Sequence, residues 1–241
     1  MPRPAVDDGW TSEVSSGFAL AGFLFLVFIG FTALALGPLM AIDAYMNIGP
    51  PPREWLPFLL VLDRIGQRAV CLPLLAVVAF VACRRLESWR PAVVASASVF
   101  MLNLLVLVLK LALGRGAPQE ADPSFFVGGM AYPSGHSANI VLVYGLIAYL
   151  VGRYLRPPPR TIFVLWSIVG LLAVTMVVTS VTLNWHWFAD LVAGLVIGGV
   201  VLELTATVDR AVPEIDFAHG WRSGLRNLVA VLRSRDSRGS A

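Results

Sequence analysis

Charged residues are scarce in this sequence: they make up only 14% of its 241 residues, whereas soluble domains carry roughly 25%. Hydrophobic residues reach 57%, and the mean hydropathy is +0.76. Lipid rather than water is therefore the expected solvent for most of the surface. A chain of this length would ordinarily hold one or two domains, but apolar segments occupy most of it, so a single membrane domain is predicted.

Lysine and cysteine are scarce as well. Of the 18 basic residues 17 are arginine and one is lysine, and the formal net charge is only +3. Because no basic stripe with interleaved aromatic residues accompanies this small charge, nucleic acid is not an expected partner. Cys71 and Cys83 would lie about 18 Å apart on one helix, too far for a disulfide bond, and both are predicted to be packing residues.

Six long apolar runs predict six membrane-spanning helices, since a helix needs about 20 apolar residues to cross a bilayer. The runs lie at 17–40, 67–83, 91–112, 134–152, 161–182 and 186–206. A shorter run, Leu56–Leu62, is predicted to be an interfacial helix leading into the second span, with a merger of the two as the alternative. The predicted fold is an all-α integral membrane protein with a short N-terminal segment (1–16), a six-span domain (17–206) and a basic tail (207–241).

The placement of arginine predicts the orientation in the membrane. Arginines cluster between spans two and three, between spans four and five, and in the tail, and none lies between spans five and six. Because cytoplasmic loops are enriched in lysine and arginine, both termini are predicted to lie in the cytoplasm. The membrane is predicted to be the plasma membrane. In the tail, apolar residues alternate with arginines, which predicts an amphipathic helix on the inner leaflet. A basic tail needed only for topology is the alternative.

Ionisable residues at three span ends mark a candidate site, because such groups are costly at membrane depth and suggest a function. Lys110 closes the third run, Pro133–Ser137 opens the fourth, and His186 and Asp190 open the sixth. By the alternating direction of the spans, these ends emerge on one face, which is predicted to be extracytoplasmic. His186 and Asp190 are four residues apart and are predicted to be neighbours on one helix face.

These motifs, in this order, resemble those of the type 2 phosphatidic acid phosphatase (PAP2) superfamily. The family carries a lysine followed seven and eight residues later by Arg-Pro, and then Pro-Ser-Gly-His. Its third motif is Ser-Arg with a histidine six residues after the arginine and an aspartate four further on. The chain matches at Lys110, at Pro133–His136, and at His186 with Asp190.

Two positions depart from the family pattern. Ala117 and Ser180 stand where the family has arginines that neutralise phosphate oxygens. Arg115 occupies a position where many members carry an additional arginine, and it is predicted to turn into the pocket as a substitute. Arg64 or Arg68, from the interfacial segment, is expected to join it.

The resemblance implies a membrane lipid phosphatase that acts through a phosphohistidine. His186 would attack phosphorus, which divides a difficult hydrolysis into two steps. Asp190 would fix the tautomer of His186 and stabilise its developing charge. His136 would protonate the leaving alkoxide and then activate water. The expected partners are a lipid phosphate substrate, such as phosphatidate, phosphatidylglycerophosphate or a polyprenyl phosphate, and membrane lipids.

Five residues are predicted to bind the phosphoryl oxygens. Lys110 and Arg115 would supply positive charge, and the Ser134 and Ser180 hydroxyls would supply neutral hydrogen bonds. Gly135 would allow close approach of the substrate to its backbone N–H, at a helix N-terminus that favours anions. The resemblance implies neither a metal ion nor another cofactor.

Each element also has an alternative interpretation. Lys110 could extend to the interface without a chemical role, the His186–Asp190 pair could only open a helix, and Ser134 could only cap one. A zinc site built on the two histidines lacks a fourth ligand. At the level of function, the alternatives are a non-catalytic binder or transporter of lipid phosphate and a phosphotransferase that uses the same pocket.

Overall fold

The computed structural model describes residues 8–47 and 49–212, and in these ranges the chain is helical, without β-strands. The side chains of residues 8–11 are not described. The eight helices of the described ranges are α1 (Asp8–Ala35), α2 (Leu39–Met46), α3 (Leu56–Asp63), α4 (Arg68–Leu86), α5 (Arg90–Leu113), α6 (Gly135–Leu155), α7 (Pro159–Thr182) and α8 (Phe188–Ala211). Helices α1 and α4 to α8 are long and apolar enough to cross a membrane, which confirms the predicted six-span, all-α architecture.

Several predicted boundaries were wrong by a few residues. Helix α1 begins inside the predicted N-terminal segment and ends at Ala35 instead of residue 40. It stops there because Pro38 has no N–H with which to continue the helical hydrogen bonds, and α2 then starts as a separate helix. Helix α8 continues to Ala211, five residues past its predicted end. The rest of the predicted basic tail, residues 213–241, lies outside the described ranges.

The short run predicted as an interfacial helix forms a helix, α3, that is separate from the second span. A tight turn at Arg64–Gly66 and the extended backbone of Gln67 (φ −75°, ψ 138°) divide it from α4. Helix α3 packs against α7, and the turn that follows it contacts α6 and α7. The merger of this run with the second span is thereby excluded.

Helices α6 and α8 form the centre of the bundle. About half of their apolar length is buried inside the protein, 50% for α6 and 56% for α8, against 11–28% for the other four spans. Glycines on α8 allow this close approach. A Cβ atom on Gly198 would lie 2.6 Å from the carbonyl oxygen of Ala138, and one on Gly194 would overlap the carbonyl oxygen of Ser134. Gly194 thus fixes the distance between α8 and the start of α6.

Substituting Gly194 by alanine is therefore expected to destabilise the bundle. Extra atoms forced into a packed interface typically cost about 1–3 kcal/mol, and here they would displace the first turn of α6. Thermal unfolding in detergent would measure the loss. Gly170→Ala in α7 is the matched control, because a Cβ atom there would meet no other atom within 4 Å. Equal melting temperatures for the two variants would contradict the packing role of Gly194.

Candidate active site

The ends of α5, α6 and α8 meet on one face of the bundle. The backbone N–H of Ser134, just before α6, donates a 2.9 Å hydrogen bond to the carbonyl oxygen of Asp190 in α8. Arg115, just after α5, forms an ion pair with the Asp190 carboxylate. Lys110, in the last turn of α5, donates to the carbonyl oxygen of Met130 in the segment that leads to α6. The motif residues from all three spans are thus held in one region.

His186 and Asp190 are paired, although not on one helix face as predicted. Helix α8 begins only at Phe188, and Trp187 before it has extended backbone dihedrals (φ −67°, ψ 151°). The Asp190 carboxylate caps this helix by accepting the Trp187 N–H at 3.0 Å. The same oxygen, Oδ2, lies 3.4 Å from Nδ1 of His186. A helix-capping turn therefore orients the imidazole, and it leaves Nε2 pointing away from the carboxylate.

Arg115 does not lie where the sequence predicted. Its side chain is fully buried, with 0% exposure, and its guanidinium contacts Asp190 Oδ1 at 2.6 Å and Asp43 Oδ2 at 2.5 Å. The Nε–H donates to the carbonyl oxygen of Pro123 at 3.0 Å, and the Phe125 ring lies 4.6 Å from the guanidinium carbon. Two carboxylates already neutralise this cation. Arg115 therefore holds the Asp190 carboxylate from inside the protein and does not face a substrate.

Sequence reasoning missed Asp43. Its carboxylate accepts the Ala189 N–H at 2.9 Å in addition to the Arg115 bond. Burial raises the pKa of Asp43, an effect that the Arg115 guanidinium and the Ala189 N–H oppose. Ion pairs thus connect Asp43 to Arg115 and Arg115 to Asp190, and Asp190 in turn contacts His186. The only sequence signal was an isolated acidic residue three positions after the predicted first span.

His136 lies in the first turn of α6, where its side chain is 32% exposed. Its Nε2 atom is 3.6 Å from Oδ2 of Asp63, the last residue of α3, and the Asp63 side chain is 1% exposed. The charges of His186, Lys110 and Arg68 also act on the His136 ring. Ser134, two residues before His136, is hydrogen-bonded to Asp190, which is paired with His186, so the two histidines lie in one region. Asp63 is a second carboxylate that sequence reasoning did not assign to the site.

The predicted phosphate-binding residues differ in their accessibility. Gly135 faces open space, since a Cβ atom there would meet nothing within 4 Å, and its N–H lies in the first turn of α6, where helices leave donors unpaired. Ser134 is fully buried, and its hydroxyl oxygen caps α6 by accepting the Ser137 N–H at 3.5 Å. Ser180 is also fully buried and donates to the Met176 sulfur at 3.4 Å. Neither hydroxyl is directed at an open pocket.

Exposed arginine is nevertheless available at the site. Arg68 is exposed and begins α4 directly after Gln67, whose amide donates to Asp63 beside His136. Arg68 was one of the two interfacial arginines expected to join the site. Among residues 8–47 and 49–212, no cluster of three His, Cys, Asp or Glu side chains is placed to hold a metal ion.

The chain belongs to the PAP2 superfamily, whose family model matches residues 91–212. It is similar to phosphatidylglycerophosphatase B of Bacillus subtilis (strain 168), with 30% identity over 110 residues. That alignment covers 46% of this chain and 54% of the relative, so the chain matches about half the length of that protein.

The fold is similar to a solved structure from the same superfamily. This is the crystal structure of the first transmembrane PAP2 type phosphatidylglycerolphosphate phosphatase from Bacillus subtilis, with a TM-score of 0.68 and 23% sequence identity. The match covers 81% of this chain and 98% of that chain. The similarity of fold therefore extends over most of this chain and nearly all of that structure.

Proposed function

We propose that this protein is a membrane lipid phosphatase that hydrolyses a phosphomonoester or diphosphate through a phosphohistidine intermediate. The observation that carries the proposal is that two histidines, each beside a buried carboxylate, lie at helix ends joined by the hydrogen bond from Ser134 to Asp190. This pair provides a nucleophile and a general acid in one place, which a stepwise phosphoryl transfer requires.

The reaction would proceed in two displacements. In the first, Nε2 of His186 forms a bond to phosphorus while the bond from phosphorus to the lipid oxygen breaks, and His136 gives its proton to the departing alkoxide. In the second, His136 takes a proton from water as the water oxygen attacks phosphorus. The P–N bond breaks and orthophosphate leaves. Asp190 accepts the Nδ1–H of His186 throughout and stabilises the imidazolium.

The phosphoryl oxygens need positive charge, because burying an unpaired dianion is costly. Lys110 from α5 and Arg68 from α4 are the cations proposed to face them, together with the Gly135 N–H at the start of α6. Arg68 would supply part of the charge that Ala117 and Ser180 do not. Ser134 and Ser180 would act indirectly, by fixing α6 and α7.

The proposed substrate class is an amphiphile with a terminal phosphate, because the site lies at the ends of membrane spans. Phosphatidylglycerophosphate is the first candidate, since both relatives are named for its hydrolysis. Phosphatidate and polyprenyl (di)phosphates are the other two. The experiment is to incubate purified protein with each of these three lipids and to measure the orthophosphate released.

A second candidate function, a non-catalytic binder of lipid phosphate, is favoured by Ala117 and Ser180 and by the burial of Arg115. These features leave fewer cations for a transition state in which charge develops on phosphoryl oxygens. Binding of lipid phosphate to the purified protein without any release of orthophosphate would favour this alternative over the phosphatase. Transfer of phosphate to an added alcohol would instead identify a phosphotransferase.

The site is proposed to open on the extracytoplasmic side, on the basis of the arginine distribution. In a variant with alanine at both native cysteines, Glu120→Cys should react with a membrane-impermeant maleimide in sealed cells. Glu120 is suitable because it is exposed on the connection between α5 and α6. Pro158→Cys, exposed between α6 and α7, is the control and should react only after permeabilisation. The reverse pattern would invert the topology.

A further inference from the structure

We propose that Asp63 is a positioning residue for His136: its buried carboxylate holds the imidazole and favours the charged form that donates a proton to the leaving lipid oxygen. The inference rests on the proposed function, because it assigns a partner to the proposed general acid. It concerns a residue of the interfacial helix α3, outside the three motifs that define the site.

The surroundings of Asp63 are unusual for a structural carboxylate. Its side chain is 1% exposed and lies 3.6 Å from Nε2 of His136 through Oδ2. That oxygen also accepts the amide N–H of Gln67 at 3.2 Å. The other oxygen, Oδ1, is buried without a hydrogen-bond partner among the described residues. A buried acceptor without a partner is costly, so this oxygen of Asp63 does not contribute to stability.

The segment that carries Asp63 is fixed to the helix that carries His136. Tyr144 of α6 donates its hydroxyl to the carbonyl oxygen of Ile65 at 3.0 Å, and Asn139 donates to that of Gly66 at 3.3 Å. A Cβ atom on Gly66 would lie only 3.1 Å from Cβ of His136. Packing and hydrogen bonds therefore determine the separation of the carboxylate and the imidazole.

The charges around His136 explain why a carboxylate is needed. Burial acts most strongly against the charged form of His136, and the charges of His186, Lys110 and Arg68 act in the same direction. In the described part of the chain, Asp63 is the negative charge that acts on His136. An opposite charge within about 4–6 Å favours the charged form of a titratable group. Without Asp63, burial and these charges would act on His136 unopposed, and the proton that the leaving group requires would be held less firmly.

The test is Asp63→Asn, which keeps the size of the side chain and an acceptor for Gln67. Two substrates are compared: a short-chain phosphatidate, and the same lipid with sulfur as the bridging atom. The thiolate of the second needs no proton to leave, because thiols are far more acidic than alcohols. We expect kcat on the oxygen substrate to fall about 100-fold, the lower range of general acid catalysis. The kcat on the sulfur substrate should fall much less. The basic limb of the pH profile measured with the oxygen substrate should move to lower pH.

Glu54→Gln is the matched control, since it removes an exposed carboxylate in the turn before α3 and should leave both substrates unaffected. Equal losses of Asp63→Asn on the two substrates would show a merely structural role and overturn the proposal.

A second measurement does not depend on activity. Nitrogen-15 NMR of histidine-labelled protein in detergent follows the charged fraction of the His136 ring through a pH titration, with the signal assigned by His136→Ala. This fraction should be lower in Asp63→Asn than in the wild type. An unchanged fraction would overturn the role of Asp63 even if the wild type released no phosphate. A wild type without turnover but with the expected NMR change would instead count against the proposed phosphatase alone.

Discussion

Replacing His186 by alanine is expected to reduce phosphate release to background, a loss of at least about 10⁴-fold. The alanine variant has no atom that can form the P–N bond, and removal of a nucleophile that acts with a general acid costs on the order of 10⁶-fold in a comparable system. Orthophosphate release from the preferred lipid would measure the effect. Because His186 precedes α8 and is half-buried, the variant should fold, and its melting temperature serves as the control.

Asp190→Asn provides the internal comparison for His186→Ala. The two oxygens of Asp190 accept from Arg115 at 2.6 Å and from the Trp187 N–H at 3.0 Å. Asparagine has one acceptor for these two donors, and its amide would oppose either the guanidinium or the helix-capping turn. The variant should keep a small residual activity, about 10²–10⁴-fold below the wild type, as when a histidine loses its orienting aspartate. Equal and mild losses in the two variants would place the nucleophile elsewhere.

The sequence predicted the meeting of the three motifs because each apolar run is long enough to cross the membrane, so successive spans alternate in direction. Lys110, the start of α6 and the start of α8 must then lie on one face, whatever the details of packing. The order and spacing of the motifs independently indicated the superfamily. These are properties of the chain itself, and neither depends on which side chains contact each other.

The rotation and capping of individual helices were not predictable in this way. Ser180 faces the Met176 sulfur inside the bundle, because the rotation of α7 about its axis is set by its packing partners. His186 lies in a capping turn because Asp190 accepts the Trp187 N–H, and spacing alone cannot distinguish this turn from a continuous helix. The role of Asp43 depends on the contact between α2 and the start of α8, which the sequence alone does not predict.

Arg115 shows most clearly where charge counting from sequence fails. The missing arginines at positions 117 and 180 favoured Arg115 as a substitute phosphate ligand. The structure instead places its guanidinium between Asp43 and Asp190, where it is inaccessible. A cation bonded to two buried carboxylates contributes to the site by holding Asp190 in position. In the proposed phosphatase, phosphate would therefore be bound by other groups, namely Lys110, Arg68 and the Gly135 N–H.

Arg115→Ala is therefore expected to act first on stability. Removing one partner of a buried ion pair leaves an uncompensated charge and costs about 3–5 kcal/mol, here with two carboxylates left facing each other. For a chain of this size, such a loss corresponds to a fall in melting temperature of about 6–20 °C. Thermal unfolding in detergent would measure it, and Arg64→Ala, which removes an exposed arginine, should leave the melting temperature unchanged.

A double variant separates this stabilising role from phosphate binding. Adding Asp43→Asn to Arg115→Ala removes one of the two opposed carboxylates, so it should recover part of the lost stability, although Asp43→Asn alone should destabilise the protein. If Arg115 were instead a phosphate ligand, Arg115→Ala would leave the melting temperature unchanged and raise the KM for the lipid. Adding Asp43→Asn would then recover nothing. That outcome would identify Arg115 as a phosphate ligand in the pocket. Recovery in the double variant would establish that Asp43, Arg115 and Asp190 stabilise each other as one buried unit that supports His186.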